Sequence, residues 1–404
     1  MKILVMNAGS SSQKSCLYEF NGINTHSPLW EAQIDYQQGQ GHLKIKTGQC
    51  IVKQESLPSQ SRLDDTIAML RYLWQGETQV INDPSEVDVV GHRVVHGGQE
   101  YQSATLINSE VKAAIARLSK FAPIHNPINL DGISAIENIF GTVPQVAVFD
   151  TAFHASLLPA AYVYPGDYGW IEQGIRRYGF HGTSHQFCNR RASEILGSDL
   201  KGMKLISCHL GNGCSLAAIQ NGKSMDTTMG FTPLEGLMMG TRSGSIDPSI
   251  LIHLLREANY TADELEQLLN KHSGLLGISG ISGDMREIIE AIAQGNERAE
   301  LALDIYLHRL KAGIGAMIAS LEGLDILVFT AGVGENSALI REVTCQAFTF
   351  LGLSIDSEKN KRSPVDQDIS NPESKVRVLV VHTQEDWEIA SECWNLMAGG
   401  KVTD

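Results

Sequence analysis

Three short polar turns hold the residues best suited to chemistry, and each follows a run of apolar β-formers. Asn7-Ala8-Gly9-Ser10-Ser11-Ser12 follows Ile3-Leu4-Val5-Met6, and His209-Leu210-Gly211-Asn212-Gly213 follows Leu205-Ile206-Ser207-Cys208. The third, Ala331-Gly332-Val333-Gly334-Glu335-Asn336, follows Ile326-Leu327-Val328-Phe329-Thr330. Glycine lets such a turn close tightly and present its backbone N–H groups, and the serine and asparagine side chains add donors and acceptors. A polyphosphate needs several donors at close approach. One such turn is ordinary punctuation after a strand. Three of them, two opening similar units, point to a nucleotide held between two related domains.

These turns need strands to carry them. Residues 2–6 and 15–20 read as a hairpin around the first turn, and residues 43–46 as a further strand. A helix is expected over 64–74, a strand over 87–90 leading into Gly91-His92-Arg93-Val94-Val95-His96-Gly97-Gly98, and a helix over 110–118. Residues 146–149 form a buried strand ending on Asp150. Strands followed by alternating helix and strand argue for α/β layers. The pattern then restarts: residues 205–208, the glycine turn, 215–219, the hairpin signal Asn221-Gly222, and 224–226. Thr261-Ala262-Asp263-Glu264 is a capping box. Leu303, Leu307, Leu310, Ile314, Met317 and Leu321 share one helical face. A last strand, 376–381, precedes Thr383-Gln384-Glu385-Asp386 and a short helix. Residues 357–375, charged and containing Pro364 and Pro372, are expected to be an exposed loop. The expected domains are 1–150 with about 387–404, and 151–386.

A chain of 404 residues suits two domains with sizeable cores. At 43% hydrophobic and 19% charged it is globular rather than disordered. No stretch reaches the roughly eighteen uninterrupted apolar residues of a membrane span. The N-terminus runs straight into a strand without a hydrophobic leader, so a cytoplasmic protein is expected. Seven cysteines, odd in number and without metal spacing, read as reduced thiols and small core residues. A net charge of −14 argues against nucleic acid and anionic membranes as partners. An anionic ligand needs only a few local cations and stays open. The absence of GxxxxGK[ST] excludes a P-loop, and the pairs His181/His185 and His92/His96 lack the glutamate of a zinc site.

The first turn resembles that of acetate kinase, as do His92 to Gly98, Phe149-Asp150-Thr151-Ala152-Phe153-His154, Arg177-Tyr178-Gly179-Phe180-His181-Gly182-Thr183-Ser184-His185 and Met239-Gly240-Thr241-Arg242-Ser243-Gly244. The similarity runs the full length, with the motifs in the family order. It implies two duplicated α/β domains of the RNase H-like kind, as in acetate and sugar kinases, actin and the Hsp70 ATPase, with the nucleotide in an interdomain cleft. The implied reaction is reversible, ATP-dependent phosphorylation of acetate to acetyl phosphate and ADP. It would proceed by in-line transfer with Mg²⁺, Mn²⁺ serving as a substitute. A propionate or broad short-chain acid kinase is the alternative within this chemistry. From another class, the alternative is a catalytically silent nucleotide-binding sensor. The family is typically a homodimer joined through its second domain.

Phosphoryl transfer rests on positioning and charge neutralisation, and the resemblance assigns residues accordingly. Arg93 binds the substrate carboxylate through its planar fork, although an interdomain ion pair is its plain alternative. Arg242 stabilises charge on the migrating phosphoryl group, a role worth on the order of 10³-fold. Asp150 ends a strand, where open α/β sheets place catalytic carboxylates. Acetate is already ionised near neutral pH, so Asp150 is read as organising Mg²⁺ or the arginines rather than as a base. His181 donates to the γ-phosphoryl oxygens. His125 is similar to a third family histidine near the site, and a packed loop histidine stays open for it. Asn7 and Glu385 resemble the magnesium positions, with Asp386 in place of the family's second acid. Lys14 resembles a nucleotide-contacting lysine. His209, Leu210, Gly211, Asn212 and Gly213, then Asp284, Met285 and Arg286, then Gly332, Val333, Gly334, Glu335 and Asn336, complete the nucleotide site. Val95, Ile124, Phe180 and Pro233 match positions that form a small apolar pocket for a methyl group. A silent relative would need no such combination of Asn7, Arg93, Asp150, His181, Arg242 and Glu385.

Overall fold

Ile3, Leu4, Val5 and Met6 are all buried, as a strand covered on both faces must be. In the computed structural model, which describes residues 1–9, 12–20, 27–37, 40–48, 50–57, 61–123, 125–362 and 364–399, they lie at the centre of the first sheet. The chain divides into two units, Met1–Ala152 with Gln384–Asp404, and Phe153–Thr383. The first unit holds β1 (Lys2–Ala8), β2 (Ser12–Glu19), β3 (Trp30–Gln37), β4 (Gln40–Thr47), β5 (Cys50–Leu57), β6 (Val89–Val94), β7 (Thr105–Leu106) and β8 (Gln145–Phe149), in the order β5-β4-β3-β2-β1-β6-β8-β7. The second holds β9 (Lys204–Leu210), β10 (Cys214–Gln220), β11 (Lys223–Thr227), β12 (Ile326–Thr330), β13 (Gln367–Asp368) and β14 (Arg377–Val380), in the order β11-β10-β9-β12-β14-β13.

The duplication is visible strand by strand. β3-β2-β1-β6-β8 and β11-β10-β9-β12-β14 share one order, with two antiparallel joins followed by two parallel ones. Each unit is therefore an RNase H-like α/β fold. Its first hairpin carries a glycine turn, and its parallel strands end on the same side as that turn. Ser10 and Ser11 of the first turn, and Ile124, lie outside the described residues. The Asn221-Gly222 turn has φ of 53° and 71°, the paired positive values that a two-residue hairpin demands. Thr261 caps its helix in a full capping box.

Two expectations change. Residues 357–375 are not an exposed loop: they contain a helix, Ser357–Lys361, with Asn360 buried, and β13, which pairs with β14. Charge and proline marked polarity, but Asn360, Ser370 and Ser374 are buried, and the charged side chains lie outward from a folded segment. The C-terminal helix, Glu385–Met397, belongs whole to the first unit, so Glu385 and Asp386 lie there rather than before a boundary at 386. A helix is one rigid element, and the division falls ahead of its first residue.

That helix packs closely on β6 because Gly91 has no side chain. A Cβ there would lie 2.6 Å from Cys393 Sγ and 2.8 Å from Ile389 Cγ2. Gly91→Ala should destabilise the first unit by about 1–3 kcal/mol through overpacking. Urea denaturation followed by tryptophan fluorescence checks this, and an unshifted midpoint would contradict the close approach.

Candidate active site

In the first unit the neighbouring strands β2, β1, β6 and β8 bring their chemistry to one place. Asn7 is the register partner of Lys14, Arg93 that of Val148, and Asp150 follows β8 directly, its N–H donating to Val94 O at 2.9 Å. Arg93 Nη2 donates to Asp150 Oδ2 at 2.5 Å, with Asp150 buried. Burial pulls the Arg93 pKa down, but the charges of Asp150, Glu385 and Asp386 outweigh it and raise the pKa overall. Arg93 Nε is buried and has no hydrogen-bond partner among the described residues. Arg93 spends one of its five guanidinium N–H donors on Asp150, and its remaining Nη donors suit a small carboxylate.

Asp386 is the hub of this cluster. Its Oδ1 accepts from Asn7 Nδ2 at 2.8 Å, and its Oδ2 lies 2.9 Å from Lys14 Nζ and accepts from Cys16 Sγ at 3.7 Å. Lys14 and Cys16 stand two apart on β2 and so share a face, a signal the sequence does contain. Lys14 also lies 3.5 Å from Glu31. Glu385 is pushed up to about 7 by burial, then by Asp150 and Asp386, against the opposing charges of Arg93 and Lys14. The donor set fits a hard divalent cation: carboxylate charge exceeds arginine and lysine charge, and the Asn7 amide spends its nitrogen on Asp386, which leaves its oxygen to coordinate. Among the described residues no group of three or more His, Cys, Asp or Glu side chains is placed to hold a metal ion by itself. Mg²⁺ needs none, since it keeps several waters.

Val95 is buried, and its N–H donates to Asn129 Oδ1 at 3.2 Å. Asn129 Nδ2 in turn donates to Ala8 O at 3.4 Å. Asn126 accepts from His96 N and donates to His96 O, both at 3.2 Å. These two buried asparagines stand in the first turn of the helix Asn126–Phe140, with half-buried His125 as its N-cap. Sequence reasoning passed over both asparagines, because an Asn after a proline-flanked histidine reads as a capping residue.

In the second unit the glycine turn between β9 and β10 gathers the other set. A Cβ on Gly213 would sit 3.4 Å from His181 Cε1 and Nε2 and 3.5 Å from Arg242 Nη1, so both side chains lie against this turn. Gly240 N donates to Asn212 O at 3.0 Å, which ties the Arg242 loop to the same turn. Arg242 donates to Pro233 O at 3.1 Å and has no carboxylate partner among the described residues. Burial lowers its pKa, opposed by Cys214, but a guanidinium stays charged in proteins. His181 takes φ 56° at the N-cap of the helix Gly182–Leu196 and stacks on His209 with ring centroids 4.0 Å apart. His209 Nδ1 and Ser184 Oγ are 2.8 Å apart. Phe180 is buried, and its carbonyl accepts from His154 Nε2 at 3.0 Å.

A cavity of about 670 Å³ joins three distant segments. Its lining includes Gly211 and Asn212, Asp284, Met285 and Arg286 with Ile289, and Gly332, Val333 and Asn336 with Ser337. Arg286 and Asp284 form a two-pronged pair, Nη2 to Oδ2 at 2.5 Å and Nε to Oδ1 at 3.0 Å. Six residues of the expected nucleotide set do not line it, Lys14 and His209, whose partners are given above, among them. Leu210 is fully buried, Gly213 serves His181 and Arg242, and Gly334 packs near Phe329. Glu335 accepts from Ala331 N at 2.9 Å and Thr383 N at 3.1 Å, and its Oε2 lies 2.6 Å from His382 Nδ1. A buried cation absent from the expected set, Arg341, donates to the carbonyls of Gly334 and Glu335 at 2.9 and 2.7 Å and to Asn360, and so holds this segment from behind. Nothing local in the sequence marks it.

Asp386→Asn should keep the bond to Asn7 while losing the ion pair to Lys14. The expected outcome is a roughly ten-fold rise in the Mg²⁺ concentration for half-maximal activity. Metal titration checks it, and an unchanged requirement would separate Asp386 from the metal donors.

Residues 2–391 match the family model described as the acetokinase family. The chain is 61% identical to acetate kinase of a Cyanothece species, with 98% of each chain covered. It is also 61% identical to acetate kinase of Gloeobacter violaceus, over 98% of this chain and 99% of that one. The crystal structure of Porphyromonas gingivalis acetate kinase superposes with a TM-score of 0.89 at 42% identity, covering 98% and 99% of the two chains. A propionate kinase from Francisella tularensis superposes at 0.87 and 38% identity, covering 97% and 98%. By the family model and by these relatives alike, the chain belongs to the acetokinase family.

Proposed function

We propose that this chain is an ATP-dependent acetate kinase, in which an acetate oxygen attacks the γ-phosphorus in line to give acetyl phosphate and ADP, reversibly. The observation that carries the reading is Arg242, a cation set against a glycine turn and His181 whose charge no carboxylate among the described residues neutralises. Such a group is held ready for an anion whose charge develops during transfer. Arg93 supports the acid side. Asp150 takes one N–H of its guanidinium, and the remaining Nη donors are assigned to the acetate carboxylate. Acetate has no proton to lose, so Asp150 acts by orienting Arg93. Asn7 and Glu385 would hold Mg²⁺, or Mn²⁺ in its place, and the bound ion would offset phosphate charge.

The second-unit cavity is assigned to adenosine, with Met285, Ile289 and Val333 as its apolar wall. His209 supports His181 from its stacked face. Lys14, bound to Asp386, is assigned to the metal side. Val95, Ile124, His125, Phe180 and Pro233 are assigned to the methyl pocket. One methylene discriminates by about 1–3 kcal/mol, so acetate should be preferred and propionate tolerated. A second copy of the chain is assigned to the helix Pro248–Glu257, which buries none of its residues and exposes Ile250, Ile252 and Leu255. Cysteines held outside any disulfide suit a cytoplasmic enzyme. No helix among the described residues is long and apolar enough to cross a membrane.

Hydroxylamine trapping of acyl phosphate, with ATP, Mg²⁺ and acetate, propionate or butyrate, tests the activity. The highest kcat/KM is expected with acetate. Bound ATP with no acyl phosphate from any acid would favour the silent sensor. Arg93→Ala should mainly raise the acetate KM, whereas Arg242→Ala should lower kcat by about 10³-fold. Full turnover in Arg242→Ala would remove it from the mechanism. Ile252→Glu should halve the mass seen by light scattering, and an unchanged mass would relocate the dimer contact.

A further inference from the structure

Four polar side chains of the second unit form a hydrogen-bonded chain that the roles above leave unexplained. His181 Nδ1 lies 2.9 Å from Ser215 Oγ, Ser215 Oγ lies 2.8 Å from His185 Nε2, and His185 Nδ1 lies 3.0 Å from Ser207 Oγ. Ser207, Ser215 and His185 are all fully buried. Each link is a true hydrogen bond by distance, and each hydroxyl has one proton to give.

Proton counting from the far end fixes the direction of the chain. Ser207 Oγ has no other side-chain hydrogen-bond partner among the described residues. Its O–H must therefore donate to His185 Nδ1, because the reverse arrangement would strand a buried hydroxyl proton at a cost of about 1–3 kcal/mol. Burial holds the His185 imidazole far below its ordinary pKa, with the charges of His154 and His209 pushing the same way, so the ring is neutral. Its single proton then sits on Nε2 and is donated to Ser215 Oγ. Ser215 has only His181 Nδ1 left to receive its own proton. His181 Nδ1 is thus an acceptor, and the neutral ring carries its proton on Nε2.

We propose that Ser207, His185 and Ser215 are positioning residues that hold His181 in its Nε2–H tautomer, so that a neutral imidazole presents a hydrogen-bond donor to the migrating phosphoryl group. The use made of the proton rests on the functional reading above; the tautomer itself does not. Without this chain the ring could carry its proton on Nδ1 and offer a lone pair to an anion, which repels it. A second proton on Nδ1 would likewise meet a hydroxyl already committed as a donor.

The test uses the full chain labelled with ¹⁵N-histidine, with His181 assigned by the signals lost in His181→Asn. Long-range ¹H–¹⁵N correlation at mildly alkaline pH should show a pyrrole-type Nε2 and a pyridine-type Nδ1 in the wild type. Ser215→Ala should move both nitrogens toward averaged shifts. It should also lower kcat about ten-fold with the acetate KM unchanged, a partial loss of one transition-state donor. His185→Gln, whose carboxamide can donate to Ser215 and accept from Ser207, should keep the wild-type pattern. A proton on His181 Nδ1 in the wild type would overturn the proposal, and this needs no variant to fold. An unshifted tautomer in Ser215→Ala would overturn it as well. If the wild type forms no acyl phosphate, the functional reading fails while the tautomer result stands.

Discussion

Buried polar groups in this protein have to be held rigidly without spending the edge that meets a ligand. A carboxylate partner would hold an arginine firmly but cancel the charge that a phosphoryl group needs. The two arginines meet the constraint differently. Arg93 gives one N–H to Asp150 and keeps its other Nη donors. Arg242 is steadied by the Pro233 carbonyl, a neutral acceptor that fixes direction and leaves the net charge intact. Arg341 extends the same logic: it is buried, and its bonds to Gly334, Glu335 and Asn360 all end on neutral carbonyl oxygens. Neutral partners also hold Val95 through Asn129, and His181 through Ser215.

Gene duplication supplied one scaffold and two chemistries. The hairpin and parallel strands of the two sheets correspond, yet the first glycine turn ends beside a cluster of acids with Lys14 and Arg93, while the second stands among glycines, histidines and one arginine. The difference lies in the element added at the strand ends. The C-terminal helix lands on β6 because Gly91 lets it approach, and that landing delivers Glu385 and Asp386 to Asn7 and Lys14. In the second unit, Gly240 closes on Asn212 and brings the Arg242 loop to the turn. Small residues decide where the charged ones arrive.

Much of this was legible in the chain. Apolar runs ending in glycine turns marked β1, β9 and β12, and Asn221-Gly222 marked the β10–β11 hairpin, because strand period and turn chemistry are local properties. Arg93, Asp150, His181 and Arg242 stood out through the motifs around them. The hub role of Asp386 did not, since it depends on residues more than 360 positions away along the chain. Asn360 fell within the stretch expected to be an exposed loop, nothing local marked Arg341, and only the fold shows that they satisfy each other inside. Glu335 carried a nucleotide motif but faces Ala331, Thr383 and His382. Sequence spacing sets which backbone approaches a ligand, while side-chain direction waits on what packs behind it.

Strain falls where that direction matters most. Two residues other than glycine take left-handed backbone at helix starts near the site. His181, with φ 56°, is the N-cap of Gly182–Leu196. Ala331, with φ 64°, is the first residue of a short helix, Ala331–Asn336, where the sequence had suggested a third glycine turn. Each conformation costs on the order of 1–3 kcal/mol and persists only where its surroundings over-determine it. Glycine would relieve the strain at His181 but would remove the imidazole, so the ring has to compensate. It does so with its bond to Ser215 and its stacking on His209, both of which exist only in that conformation. At Ala331 the compensation comes from Glu335, whose Oε1 accepts the strained residue's own N–H. In both cases the group that offsets the strain also points the segment toward its ligand. The strained backbone and the oriented site therefore stand or fall together.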